Sequence, residues 1–435
     1  MKIAIAGYGV EGRSNYAYWS RKEGAELTIV DEQPLDQAAV PHGVPAISGP
    51  DAFQKLDGFD LVIRSAGVAP YKIKTDGKVW SGTNEFFLQC TEEDTAAPNI
   101  DIIGVTGSKG KGTTASFIAS ILKAAGKTVW LVGNIGLPAL DVLKNVRPGD
   151  IVVYELSSFQ LWDIERSPKT AVVLFIEQEH LDVHRDMAEY VAAKGNIARF
   201  QAAEDLLVYN AENAYSREIA AHTKAVTVGY PSSHTTHIRD GYFYNGEQKL
   251  CPIEAVVLPG KHNLSNAIAA IDAVWQYVQD GAVIEQGLRA FKGLPHRLAF
   301  VREANGVRYY DDSIATTPTS AIAALRSFEG KKVIILGGSP KGSDFTELAE
   351  ELTRHDVHAL IMGEEAAKIA AAADAAGFSN YELIDQPTMS GVVARAAEVA
   401  EPNSVVLLSP ASASFGLFKN YADRGEQFIA AVEQL

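Results

Sequence analysis

Glycines, lysines and threonines crowd the stretch Ile102-Ile-Gly-Val-Thr-Gly-Ser-Lys-Gly-Lys-Gly-Thr-Thr114, between an apolar run and an amphipathic one. Glycines 104, 107, 110 and 112 let a backbone turn tightly with its N–H groups facing inward. The pattern predicts a strand, a loop and a helix from Thr113 with Phe117, Ile118, Ile121 and Leu122 on one face. A nest of N–H groups, a helix N-terminus and Lys111 together make a cradle for phosphate. Val105 stands where the first glycine of Gly-x4-Gly-Lys would be, so this is not the generic nucleotide loop. The bland reading is a glycine-rich strand-to-helix turn with no ligand, and Lys111 beside Thr113 and Thr114 weighs against it.

Other chemistry-bearing residues follow strands. Ile151-Val-Val-Tyr-Glu155 is a buried-type strand ending in an acid, where a nucleotide-bound Mg²⁺ would be held beside a phosphate loop. His180 comes directly after the strand Thr170–Ile176, the usual place for site residues in a parallel sheet. Lys194 sits in an alanine-rich helical stretch whose low polarity favours a neutral amine; read from pattern alone it is a solvated helix lysine. Asn263 and Asn266 lie three apart at the start of another helix, placed to read a base edge or to cap the helix. Near the N-terminus Gly7-Tyr-Gly-Val-Glu-Gly12 follows one strand, Asp31 ends the next, and Leu61–Ser65 runs into Ala66-Gly67. That is a dinucleotide-type arrangement, which a tight βα turn with a surface aspartate would also produce. Toward the C-terminus, loops at 337–342 and 409–414 carry a lysine and hydroxyls that suit a small acidic substrate.

These residues need parallel sheets to hold them, and strands alternate with helical stretches throughout. At 435 residues the chain has room for about three domains. The expected fold class is α/β in three domains: an N-terminal Rossmann-like domain over 1–93, a central P-loop-type ATPase sheet over 94–295, and a C-terminal Rossmann-like domain over 296–435. A net charge of −15 argues against nucleic acid and anionic membrane as partners. Two cysteines, Cys90 and Cys251, form no spaced framework, and the chain opens directly on a strand; a cytoplasmic protein is expected, with no membrane insertion.

Taken together and in order, the motifs resemble the Mur ligases of peptidoglycan synthesis. The most specific pieces are Gly133-Asn-Ile-Gly-Leu-Pro-Ala-Leu140, Glu155-Leu-Ser-Ser-Phe-Gln160, Gly293-Leu-Pro-His-Arg297 and Ser409-Pro-Ala-Ser-Ala-Ser-Phe415 with Phe418-Lys-Asn420. The resemblance covers the whole chain and is closest to the glutamate-adding type. It implies a monomer that activates the carboxylate of UDP-N-acetylmuramoyl-L-alanine with ATP and joins it to D-glutamate. By resemblance, ATP is held by Gly107, Ser108, Lys109, Gly110, Lys111, Gly112 and Thr113, with Asn263, Asn266, Arg297 and Asp312. Two Mg²⁺ sites are implied, drawing on Thr113, Glu155, His180 and Lys194, the last as a carbamate formed with CO₂. The UDP-substrate would meet Val10, Glu11, Asp31, Gly67 and Asn134; the amino acid would meet Thr316, Lys341, Ser414, Phe415 and Tyr421.

The chain departs from the family pattern in places. Gly112 follows the loop lysine where Ser or Thr is usual, a form similar to folylpolyglutamate synthetases. Ile314 stands where many members carry lysine, Ala299 and Gly416 where many carry an acid. These changes bear on which amino acid is added, L-glutamate being the alternative. A folylpolyglutamate synthetase would explain the loop but not a fingerprint domain ahead of it. A nicotinamide dehydrogenase would use residues 1–35 and leave the central cradle idle.

Overall fold

The computed structural model describes every residue except 37, 38, 93, 94, 96–98, 135, 136, 341 and 386. Three mainly parallel sheets carry the chain. The first has the spatial order Ala46–Ser48, Glu26–Asp31, Lys2–Ala6, Leu61–Arg64, Lys78–Ser81, all parallel. Chain direction along the sheet reverses between Lys2–Ala6 and Leu61–Arg64, and a ligand crevice opens at such a switch point. Ile3, Ile5, Ile29 and Ile63 are buried on one face, and Ala4, Val30 and Val62 on the other.

The second sheet runs Val226–Tyr230, Leu206–Asn210, Thr170–Val173, Asp101–Thr106, Ile151–Glu155, Val129–Gly133, again all parallel. Asp101–Thr106 lies near the middle because its residues are apolar on both faces, as buried parallel strands require. On one side it pairs with Ile151–Glu155 rather than with the next strand in sequence, which brings Glu155 opposite Val105 and beside the glycine loop. The helix after the loop begins at Lys111, two residues earlier than expected, and extends to Ala124.

Helix Gly82–Thr91 closes the first sheet and drives Phe86, Phe87 and Cys90 into the core of the second. Phe87 stacks on Tyr154 at 6.0 Å and Phe86 meets its edge at 5.7 Å. The first two sheets accordingly belong to one packing unit, Met1–Val256 with Leu264–Phe291; the other comprises Val257–Asn263 with Lys292–Leu435. The expected division between residues 93 and 94 lies outside the described residues.

Two features were not anticipated. An antiparallel meander, Thr236–Arg239, Tyr242–Asn245 and Gln248–Pro252, is added to the central region. The third sheet orders Ala299–Ala304, Val307–Asp311, Val405–Leu408, Lys332–Gly337, Val357–Met362 and Tyr381–Ile384. It was expected to be wholly parallel, yet its first pair is an antiparallel hairpin. Asn305 and Gly306 sit at φ 53 and 75 there, the left-handed pair that a two-residue hairpin turn demands.

Candidate functional site

The loop between Asp101–Thr106 and the helix Lys111–Ala124 is held in the shape a phosphate cradle needs. Gly107 and Gly110 adopt φ of 151 and 85, conformations that side chains rarely adopt. A Cβ at Gly110 would lie 2.4 Å from Asn266 Oδ1, and one at Gly107 2.7 Å from Leu174 Cβ. Gly110 caps the helix with no side-chain bond to its first N–H groups, leaving the positive end of the helix dipole facing the loop.

Ser108 does not face outward. Its hydroxyl donates to the Glu177 carbonyl at 2.9 Å, accepts from the Glu177 N–H at 2.9 Å and lies 3.0 Å from the Tyr190 hydroxyl. Lys109 pairs with Glu177 at 2.6 Å. The loop is thus pinned to the segment following Thr170–Val173. Lys111 Nζ donates to the Gly107 and Ser108 carbonyls at 3.1 and 2.7 Å. Lys194, on helix Met187–Arg199 and only 1% exposed, donates to the same Gly107 carbonyl at 2.7 Å.

Two amines therefore meet on one carbonyl. Burial, reinforced by the Lys111 charge, pushes the Lys194 amine well below the usual lysine range, with Glu179 and Glu155 opposing. The neutral amine is favoured because an ammonium here loses water and gains a like-charged neighbour. The sequence pattern alone favoured a solvated lysine; the structure places it in the core. Glu155 is itself buried at the strand end, and Thr113 and Thr114 are buried at the start of the helix.

His180 and His184 sit in different surroundings. His180 stands in the left-handed region at φ 59 with its side chain 44% exposed, 3.9 Å from Glu179. His184 is buried, Nε2 2.9 Å from Ser158 Oγ, its ring stacked on Trp162 and Phe159 at 4.0 and 5.3 Å. Glu179 and Tyr190 were missed in the sequence, although Tyr190 and Lys194 share a helix face at i, i+4. The Tyr190 hydroxyl donates to Glu179 at 3.3 Å and the Lys194 amine sits 4.5 Å from the Tyr190 ring centre.

At the switch point of the first sheet, a cleft of about 440 Å³ is lined by the fingerprint loop, Asp31, Ser65, Gly67 and Lys72. A Cβ at Gly12 would sit 2.0 Å from the Gly7 carbonyl, so helix and loop approach there only through glycine. The Asp31 carboxylate accepts from the Tyr8 and Gln33 N–H groups at 2.7 and 2.9 Å, and Glu11 accepts from the Ala66 N–H at 2.7 Å. Val10 and Gly67 are exposed at the cleft, while Asn134 is exposed beside Glu155, whose carbonyl accepts its N–H at 3.3 Å.

In the C-terminal unit Asp312 is buried, accepting from the Ser409 hydroxyl at 2.7 Å and the Leu298 N–H at 3.2 Å. Burial nevertheless pushes its carboxyl up to about 7. A carboxyl raised on folding lends stability that is full below its unfolded pKa near 3.8 and lost as pH rises through 7. The difference in unfolding free energy between wild type and Asp312→Asn, measured in urea, is expected to change across roughly pH 4 to 7 and be flat above. A flat difference throughout would contradict the raised carboxyl.

Neighbouring loops are gathered by the buried Arg424, which donates to Ser313 Oγ, the Ser313 carbonyl and the Ser412 and Ala413 carbonyls. Ser414 is buried, whereas Arg297, Phe415 and Tyr421 are exposed and Thr316 half-buried. Asn263 is buried and donates to the Pro259 carbonyl at 2.7 Å. Lys341 lies outside the described residues. A Cβ on Gly416, at φ 88, would meet Glu364 Oε1 at 2.9 Å, so a carboxylate from another segment stands against the position where many family members carry an acid.

Among the described residues no cluster of three or more His, Cys, Asp or Glu side chains could hold a metal. The hard oxygens of Glu155 and Thr113 suit Mg²⁺, an ion that takes one or two protein carboxylates and completes its shell with phosphate and water. An ammonium at Lys194 would repel such an ion.

Comparison with known proteins adds what geometry alone does not. Residues 105–274 match the Mur ligase middle domain and residues 296–412 the Mur ligase, glutamate ligase domain. UDP-N-acetylmuramoylalanine–D-glutamate ligases from Acetivibrio thermocellus and Streptococcus sanguinis are 36% and 35% identical, covering 100% of this chain and 96% and 97% of theirs. The fold is also that of UDP-N-acetylmuramate-alanine ligase from Thermotoga maritima, with a TM-score of 0.61 at 18% identity, covering 100% of this chain and 99% of that one. Folylpolyglutamate synthase from Mycobacterium tuberculosis follows at 0.57 and 14%, covering 76% of this chain and 90% of its own. Full-length identity of this degree, on a parallel sheet whose glycine loop, strand-end acid and buried lysine converge, makes this chain a member of the Mur ligase family.

Proposed function

We propose that this protein is an ADP-forming amide ligase that joins D-glutamate to UDP-N-acetylmuramoyl-L-alanine in cytoplasmic peptidoglycan precursor synthesis, acting as a monomer. The observation that carries the reading is the convergence of Lys111 and Lys194 on the Gly107 carbonyl, with Glu155 beside the same loop. Its functional domains divide at 1–93, 94–295 and 296–435. An oxygen of the alanine carboxylate attacks the γ-phosphorus of ATP, and the bond to the β-bridging oxygen breaks to release ADP. The amine of glutamate then attacks the acyl carbon of the acyl phosphate, and inorganic phosphate leaves as the amine sheds its proton.

The difficulty is to bring anions together, so positioning and charge neutralisation carry the rate. Loop residues 107–113 cradle the phosphates, Lys111 neutralises the transferring group, and Asn263, Asn266, Arg297 and Asp312 orient the nucleotide. Val10, Glu11, Asp31, Gly67 and Asn134 hold the UDP-substrate; Thr316, Lys341, Ser414, Phe415 and Tyr421 hold the amino acid. Two Mg²⁺ ions would supply charge compensation for the phosphates, one held by Thr113 and Glu155 and the other by His180 and a carbamylated Lys194. The lowered basicity of Lys194 supports that last assignment, because only a neutral amine adds to CO₂.

Phosphate release is expected only when ATP, Mg²⁺, UDP-N-acetylmuramoyl-L-alanine and D-glutamate are combined. Turnover with L-glutamate in place of D-glutamate would move the reading to the alternative amino acid, consistent with Ile314, Ala299 and Gly416. No turnover with either would overturn it.

A further inference from the structure

The wall of the N-terminal cleft is folded around a wholly buried arginine. Arg64 ends strand Leu61–Arg64 and is 0% exposed. Its Nη1 donates to the Val68 carbonyl at 2.9 Å and reaches those of Ser65 and Ala66 at 3.5 and 3.4 Å. Its Nε and Nη2 grip both oxygens of Asp163 at 2.8 and 2.6 Å, and Nη2 also donates to the Phe159 carbonyl at 3.0 Å. One guanidinium therefore shapes the cleft loop 65–68 and seats it on the segment that follows Glu155 in the central region. Close by, Tyr71 donates its hydroxyl to the Val183 carbonyl at 2.7 Å and lays its ring edge on Trp162 at 6.0 Å. Trp162 stacks on His184, and Phe159 lies against His180 at 4.9 Å. A continuous line of contacts thus runs from the cleft loop to the turn bearing His180.

If adhesion were the only need, apolar packing would hold the two segments with less desolvation. What a buried guanidinium adds is direction, because its planar fork fixes the angle of every partner it bonds. We propose that Arg64, with Tyr71 as a second strut, is a positioning residue: it keeps the cleft loop in fixed register with the His180 turn, so that a substrate anchored by its nucleotide in the cleft delivers its carboxylate to the phosphate cradle. The inference rests on the ligase reading above, in which one substrate spans both places.

The test uses the full-length enzyme and two conservative variants. Arg64→Lys keeps the charge but cannot hold an acid with two prongs and four carbonyls at once; Tyr71→Phe loses only the bond to Val183. For Arg64→Lys, kcat is expected to fall about a hundredfold, the cost of misplacing a reacting group by roughly an ångström. The calorimetric affinity for UDP-N-acetylmuramoyl-L-alanine and the KM for ATP should change little. Tyr71→Phe is expected to show the same split more weakly, with an unchanged melting temperature. Wild-type kcat in both variants would overturn the proposal, as would a loss that merely tracks weakened substrate binding or the folded fraction. Should Arg64→Lys fail to fold, Tyr71→Phe decides alone, and wild-type kcat there overturns it. A wild-type enzyme silent with this substrate overturns the ligase reading and the inference together; active wild type with equally active variants overturns only the inference.

Discussion

Replacing Lys111 by alanine is expected to lower kcat about a thousandfold, the scale on which removing one preorganised charge-stabilising donor acts. The Lys111 amine stands at the mouth of the loop, bonded to the Gly107 and Ser108 carbonyls, and Lys111 is the first residue of the helix. A phosphoryl group lodged there would meet the amine, the helix dipole and the glycine N–H groups together, while negative charge shifts toward the leaving oxygen. That charge is larger in the transition state than in bound ATP, so the loss should fall on kcat with a smaller rise in the KM for ATP. Alanine is a strong helix former, so the melting temperature should stay close to that of the wild type. A kcat within tenfold of wild type, at equal folded fraction, would remove Lys111 from the proposed chemistry. The substitution has a second expected consequence: without the Lys111 charge, the Lys194 amine loses one of the influences that hold it neutral, so its basicity should rise.

The strand, glycine loop and helix over 101–124 were legible because their signals are local. An apolar run, glycines at the turn and an amphipathic helix occupy consecutive residues, and the strand-end position of Glu155 needed only the period of a buried strand. Some of what was missed was local too. Asp240-Gly241 and Asn305-Gly306 both lie in the left-handed region between antiparallel strands, and such pairs are strong hairpin signals. The short edge strands Ala46–Ser48 and Lys78–Ser81 left too few residues for a period to emerge. Other features are absent from any window of sequence. That Ser108 turns back onto Glu177, that Arg64 reaches Asp163, and that Lys194 is buried follow from which helices pack over which strands. The two histidines make the same point. Both sit in one five-residue motif, yet the fold exposes His180 and encloses His184 among aromatic rings.

Lys194 leads to the other large effect expected. At pH 7 an ordinary lysine, with a pKa near 10.4, leaves fewer than about one amine in a thousand neutral, too few to hold CO₂ as a carbamate. Burial and the Lys111 charge act in the same direction here and raise that fraction. The wild-type enzyme should therefore lose activity in CO₂-depleted buffer and regain it on adding bicarbonate. The effect should deepen as pH falls, because protonation removes the reactive amine. Lys194→Ala is expected to lose at least about a hundredfold in kcat, as when groups that shape a metal site are removed. It should no longer respond to bicarbonate, and a short carboxylate such as acetate should restore part of the rate by entering the vacated space. Isotope-labelled bicarbonate should give a carbamate signal in wild type and none in Lys194→Ala. An enzyme indifferent to CO₂, with no carbamate signal and a tenth or more of its activity left in Lys194→Ala, would return the buried amine to a purely structural role: a donor tying helix Met187–Arg199 to the Gly107 carbonyl.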